Sequence, residues 1–192
     1  MINLDEAKKI QKDLQIVAEH LLKQVPIEQY LKPLGDCHRV GSLKTGLMVR
    51  PDIDFKIYSE TIDAGNVIDV AKTMLHDLPE VAGIKITDFT KDFDSSSTQV
   101  GIYFGVTVVF DGVIWKIDAP LRRPNEYQLG EAEIDGWMER MTSGQHDQLL
   151  LLKAQLLELG RYGRKGCKSE DVYRAFFKNH VRAPEDISES GH

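Results

Sequence analysis

Apolar residues recur at steps of three and four near the start of the chain: Ala7, Ile10, Leu14, Val17 and Leu21. That spacing puts them on one stripe of a helix, predicted over Leu4–Val25. Asn3 stands at its cap position with Glu6 three residues later, the pairing of a capping box, and Pro26 closes the segment. A stretch rich in turn residues follows, then a short strand predicted at Cys37–Gly41. Gly41, Gly46 and Pro51 punctuate the approach to Asp52-Ile53-Asp54-Phe55-Lys56-Ile57, where alternation is strict. Ile53, Phe55 and Ile57 face one way, and Asp52, Asp54 and Lys56 the other. A second apolar stripe of Val67, Val70, Ala71, Met74, Leu75 and Leu78 predicts a helix over Ala64–Leu78, ended by Pro79 and Gly83. Ile84–Phe89 reads as a strand and Lys91–Thr98 as a polar loop.

The next signal fixes a register. Val100–Phe110 and Val113–Leu121 are β-rich runs separated by Asp111-Gly112, a dipeptide that favours a two-residue type I′ turn. Counting back from that turn sets Phe110 opposite Val113, Thr107 opposite Lys116 and Gly105 opposite Asp118. Val106, Val108, Phe110, Val113, Trp115 and Ile117 then share the apolar face, and Asp118 lies on the other. Beyond this hairpin the pattern is helical. Ile134, Trp137, Met138 and Met141 form a stripe in Glu131–Thr142, and Asp147–Leu159 is leucine-rich. Gly160–Gly166 reads as a basic turn. Ser169 is expected to cap a last helix with Glu170 and Asp171 in its first turn. From Ala183 the tail is polar and expected to fray. The whole is α+β: a mixed, mostly antiparallel sheet with flanking helices, then a helical C-terminal part. The expected divisions are 1–124, 125–182 and a tail, 183–192.

Charge and cysteine usage narrow the classes. The 192 residues carry 24 Lys and Arg against 30 Asp and Glu, a net charge of −6. Such a chain is a poor general polyanion binder, which argues against a main role in gripping duplex DNA. Cys37 and Cys167 have no zinc or disulfide spacing, and the six histidines show no paired-ligand spacing. The N-terminus is a charged amphipathic run, and the longest apolar run, Leu149–Leu152, is too short to span a bilayer. A cytoplasmic protein without membrane association is expected. Oligomeric state is not encoded in these patterns.

The chemistry concentrates in Val40-Gly41-Ser42-Leu43-Lys44-Thr45-Gly46 and the Asp52-Ile53-Asp54 strand. Aspartates at i and i+2 on a strand set both carboxylates on one face, and hard oxygen ligands of this kind suit Mg²⁺ or Mn²⁺. A Gly-Ser turn upstream offers backbone N–H groups and a hydroxyl to an anion, with glycine allowing close approach. Asp118, facing Gly105, is a candidate third carboxylate, although Asp88 or Glu133 could fill that role. Lys56 on the carboxylate face has two readings, a phosphate contact or a salt bridge with Asp52 or Asp54. Arg122 and Arg123 read first as a solvated pair, with contact to triphosphate or acceptor as the alternative. In the basic turn, Arg161 and Arg164 are accounted for as helix C-terminal charges; with Lys165 and Lys168 they could instead grip a phosphate or nucleic acid.

These motifs resemble the signature of the DNA polymerase β-like nucleotidyltransferase superfamily over roughly residues 36–120. The resemblance implies that Gly41 and Ser42 hold the β- and γ-phosphates of a nucleotide. Asp52 and Asp54 would bind both metals. Asp118 would bind one and orient or deprotonate the attacking hydroxyl. Leu43 and Lys44 stand where small or aromatic residues are frequent in the family, and Lys44 is a further candidate for the phosphates. The implied activity is metal-dependent transfer of a nucleoside monophosphate from an NTP to an acceptor hydroxyl, releasing pyrophosphate. The resemblance extends to small members of the family that modify antibiotics, which implies a small-molecule acceptor, and an acidic protein suits a cationic acceptor better than RNA. The alternatives are a relative that modifies tRNA or protein and a non-catalytic nucleotide-sensing or antitoxin-like binding module.

Overall fold

The computed structural model describes residues 1–90, 100–124, 131–163 and 166–187. The loop expected at Lys91–Thr98 and the charges of Arg164 and Lys165 lie outside the described residues. The chain divides into two compact units. One comprises residues 1–14, 46–49 and 130–192, the other 15–45 and 50–129.

Helix α1 (Leu4–Gln24) contributes to both units. Its capping box is formed as the sequence predicts: Glu6 N donates to Asn3 Oδ1 at 3.0 Å and Asn3 N to Glu6 Oε2 at 2.9 Å. The buried stripe is Ala7, Ala18, Leu21 and Leu22, and Ile10 is left exposed. The turn-rich stretch that follows holds a short helix, α2 (Ile27–Leu31), and one 3₁₀ turn.

The unit of residues 15–45 and 50–129 is built on a six-stranded mixed sheet. Strands β1 (Asp36–Val40), β2 (Asp52–Tyr58), β3 (Val81–Asp88), β4 (Ile102–Phe110) and β5 (Val113–Asp118) lie in the order β1-β2-β5-β4-β3. The short β6 (Leu121–Arg122) pairs with β2 and β4. All pairs are antiparallel except those of β2 with β5 and with β6. The predicted hairpin register holds in full: Phe110 pairs with Val113, Thr107 with Lys116 and Gly105 with Asp118. Asp111 and Gly112 have φ of 49° and 75°, the left-handed conformation a type I′ turn requires. Val113 departs from expectation. It is exposed because it sits at the tip, beyond Trp115 and Ile117, where the core begins.

The expected strand at Cys37–Gly41 ends one residue earlier, and Gly41 opens the short helix α3 (Gly41–Thr45). Helix α4 (Ala64–Asp77) is capped by Asp63, whose Oδ1 accepts from Gly65 N at 2.7 Å. Val67, Ala71 and Met74 face its core, while Leu75, expected on the stripe, is half exposed.

The other unit gathers α5 (Glu131–Arg140), α6 (Ser143–Glu158) and α7 (Ser169–Phe177) around Leu149, Leu152, Leu156, Val172 and Phe176. Ala7 of α1 and Leu47 and Val49 of the 46–49 segment join this core. Two expectations are corrected here. Ser169 is the first residue of α7 and not its cap: that position is Lys168, whose N–H is taken by Asp171 Oδ2 at 2.9 Å, while the Ser169 hydroxyl bonds Tyr162 at 2.6 Å. The tail does not fray at Ala183. Arg161 donates to the carbonyls of Pro184 and Ile187, and Ile187 is buried. No helix among the described residues is long and apolar enough to cross a membrane.

Candidate active site

Strand β2 carries the site because its two faces differ so sharply. Ile53, Phe55 and Ile57 are almost wholly buried, which forces Asp52 and Asp54 onto the opposite face, where they are partly exposed. The parallel pairing with β5 sets Asp54 directly beside Asp118 and Asp52 beside Lys116. One carboxylate oxygen from each of Asp52, Asp54 and Asp118 lies within 4.8 Å of the others. Among the described residues no other trio of acids, histidines or cysteines comes so close. Of the rivals for the third position, Asp88 accepts from Thr90 N at 2.9 Å, and Glu133 belongs to α5 in the other unit. Neither is part of the cluster.

Burial and the charge of Asp52 raise the pKa of Asp118 above the usual carboxylate range, against the Tyr103 hydrogen bond and the charges of Lys116 and Arg50. Tyr103 donates its hydroxyl to Asp118 Oδ1. Burial, that hydrogen bond and the nearby aspartates hold the phenol well above its ordinary pKa, so it remains a donor at neutral pH. Lys85 lies over the same ring, 5.7 Å from its centre. Arg50 holds Asp52 by its other side: Nε donates to Oδ2 at 2.9 Å and a terminal N–H to the same oxygen. The second oxygen, Asp52 Oδ1, is buried and accepts no hydrogen bond.

That orphaned oxygen tests whether the cluster suits a divalent cation. A buried acceptor without a donor is costly, and three carboxylates this close repel one another. A hard cation such as Mg²⁺ or Mn²⁺ answers both problems, and the all-oxygen donor set is the one it prefers. The residues fit the group.

Gly41 is tied to the same cluster. Val40 pairs with Asp54, so the chain leaves β1 beside that carboxylate. Gly41 has φ 65°, and a β-carbon there would stand 2.0 Å from Asp54 Oδ2. Only glycine permits this approach. Ser42 follows in α3, partly buried. Leu43 anchors that helix in the core, and its carbonyl accepts from Gln15 Nε2 at 3.0 Å. Lys44 is exposed and makes no hydrogen bond or ion pair among the described residues. Lys56 lies opposite His38 in register, on the carboxylate face. Arg122, read from sequence as solvated, is buried in β6 beside Tyr58, because two-sided pairing with β2 and β4 draws that strand into the sheet.

Sequence reasoning missed Arg50 and Tyr103. Tyr103 had a signal, since it stands two residues before Gly105 on the same face of one strand. Arg50 lies in a bend before β2, where no periodicity operates.

Known structures share this arrangement of sheet and helices. The polymerase core of TRAMP, an RNA surveillance complex, superposes with a TM-score of 0.56 at 18% identity, over 92% of this chain and 53% of that one. A non-canonical poly(A) polymerase complex gives 0.59 at 10% identity, over 92% and 60%. The likeness is one of fold. A cytoplasmic RNA terminal U-transferase shares it, at TM-score 0.54 and 13% identity over 84% of this chain and 46% of its own. The chain thus spans about half the length of these polymerases. No family profile matches the sequence, and comparison with curated proteins gives no match.

Proposed function

We propose that the protein transfers a nucleoside monophosphate from an NTP to an acceptor hydroxyl and releases pyrophosphate. The observation that carries this reading is the trio of Asp52, Asp54 and Asp118 on adjacent parallel strands of a nucleotidyltransferase sheet. These three carboxylates would hold Mg²⁺ or Mn²⁺. When bound, the cation supplies positive charge against the triphosphate and acidity to the attacking hydroxyl. Gly41 and Ser42 bind the phosphates, with the Gly41 backbone closing directly on Asp54. Tyr103 occupies Oδ1 of Asp118 and leaves Oδ2 to orient the acceptor hydroxyl and take its proton. The hydroxyl oxygen bonds to the α-phosphorus as the bond to the departing pyrophosphate breaks.

An RNA end is the first acceptor to test, because the solved neighbours include a poly(A) polymerase and an RNA terminal U-transferase. A small-molecule acceptor is the second reading. It is favoured by the net charge of −6 and by Arg161, whose guanidinium is spent on the carbonyls of Pro184 and Ile187.

The test incubates the protein with each labelled NTP and Mg²⁺ or Mn²⁺, with and without RNA oligonucleotides and a panel of hydroxylated small molecules. RNA lengthening, or label on a small molecule, separates the two acceptors. In either case the Asp52→Asn, Asp54→Asn double variant is expected to lose pyrophosphate release entirely. Cation-dependent NTP binding without pyrophosphate release under any condition would instead favour the non-catalytic sensor.

A further inference from the structure

We propose that Arg50 is a built-in counter-ion of the acid cluster and weakens its hold on a divalent cation. The inference rests on the reading of Asp52, Asp54 and Asp118 as a cation site. Three carboxylates within 4.8 Å of one another need positive charge nearby when no ion is bound. Arg50 supplies it with two N–H groups on Asp52 Oδ2, and its charge also acts on Asp118.

The arginine approaches from the solvent side. Its side chain is 36% exposed, against 13% for that of Asp52. The backbone beneath it is fixed, because Pro51 restricts its own φ and its carbonyl accepts from Lys116 N at 3.2 Å. Exchange of guanidinium for a metal ion is therefore a side-chain event that leaves β2 in place. An ion on Asp52 Oδ2 competes with Arg50 for one oxygen. An ion on the buried Oδ1 still has the guanidinium as a like-charged neighbour on the same carboxylate. In both cases Arg50 stabilises the ion-free protein and opposes binding. A residue that merely held the bend or oriented Asp52 would act in the opposite sense, since its loss would loosen the site.

The experiment titrates Mn²⁺, without nucleotide, into wild type, Arg50→Gln, Arg50→Lys and the Asp52→Asn, Asp54→Asn double variant, by calorimetry and by thermal melting. Arg50→Gln is expected to melt lower than wild type in chelator and to bind Mn²⁺ about tenfold more tightly, equivalent to ~1.4 kcal/mol. Arg50→Lys keeps the charge and loses the two-pronged contact, so its affinity should fall between the two; it also serves if the glutamine variant does not fold. Unchanged or weaker Mn²⁺ binding in the Arg50 variants, with wild-type binding abolished by the double variant, overturns the counter-ion role and leaves the cation site standing. No Mn²⁺ binding by wild type or Arg50→Gln overturns the cation site, and the counter-ion role with it.

Discussion

Gly105 lies directly across the β4–β5 pair from Asp118, and its lack of a side chain gives the Tyr103 hydroxyl room to reach that carboxylate. A β-carbon on Gly105 would stand 2.6 Å from the Tyr103 hydroxyl and 2.9 Å from two atoms of its ring. Replacing glycine by alanine in a strand ordinarily helps by restricting the unfolded chain. Here the overlap decides the sign, because a rigid, half-buried ring must turn away. Gly105→Ala is expected to lose about 1–3 kcal/mol in urea denaturation, as overpacking does. Tyr103→Phe removes only the donor and should lose about 1 kcal/mol. Wild-type stability in Gly105→Ala would contradict this packing.

Cys37 in β1 should be a slow thiol. Burial, with Glu28 and Asp36 nearby, pushes its pKa up to about 11, against the pull of Lys32 and Arg39. The thiolate is the reactive form. Native protein should therefore resist iodoacetamide at pH 8, with the Cys37 rate climbing toward pH 11. Cys167, fully buried, should label only on unfolding. Mass spectrometry of the alkylated peptides distinguishes the two. Labelling of Cys37 at pH 8 at the rate of a free cysteine is the contrary result.

Lys153 is buried completely within the helical unit, among groups that favour its charged form. Its Nζ donates to Leu47 O at 2.8 Å and to the Tyr173 hydroxyl at 3.2 Å, and lies 5.3 and 5.5 Å from the centres of the Tyr173 and Tyr162 rings. Burial pulls its pKa down, but the two phenols outweigh burial and the net direction is up. A raised pKa means that the ammonium stabilises the fold fully below the ordinary lysine value of 10.5 and ceases to do so as pH rises through the higher native value. Lys153→Met leaves the Leu47 carbonyl without this donor and should cost about 1–3 kcal/mol. Urea titrations from pH 6 upward should show a constant gap between wild type and variant that narrows only above pH 10.5. A gap that widened from near neutral pH up to 10.5, in place of a flat one, would mean the lysine is buried uncharged.

What could be read in the sequence depended on distance along the chain. The Asp111-Gly112 turn fixes its hairpin by counting, so the placement of Asp118 opposite Gly105 followed from local chemistry alone. The facing of Asp52 and Asp54 followed from alternation. That Asp118 belongs to their cluster was legible only as one candidate beside Asp88 and Glu133, because a parallel pairing leaves no turn to count from; the family resemblance favoured Asp118. Arg50 was invisible for another reason: a bend has no period, and an arginine two residues from an aspartate is unremarkable on paper. The tail shows the same limit. Its composition is polar, but Ile187 and the carbonyls that Arg161 binds are held by contacts that composition does not express.

The parallel contact between β2 and β5 also sets a schedule for the newborn chain. Asp52 and Asp54 leave the ribosome more than sixty residues before Asp118. No tight turn could shorten that interval, since parallel strands require a long crossover. A polypeptide halted or cleaved upstream of β5 holds two of the three acids and leaves one edge of β2 without its β5 and β6 neighbours. Fragments that end before β5 therefore cannot assemble the trio of carboxylates, and any cell-made product that holds all three together has been translated at least through the β4–β5 hairpin.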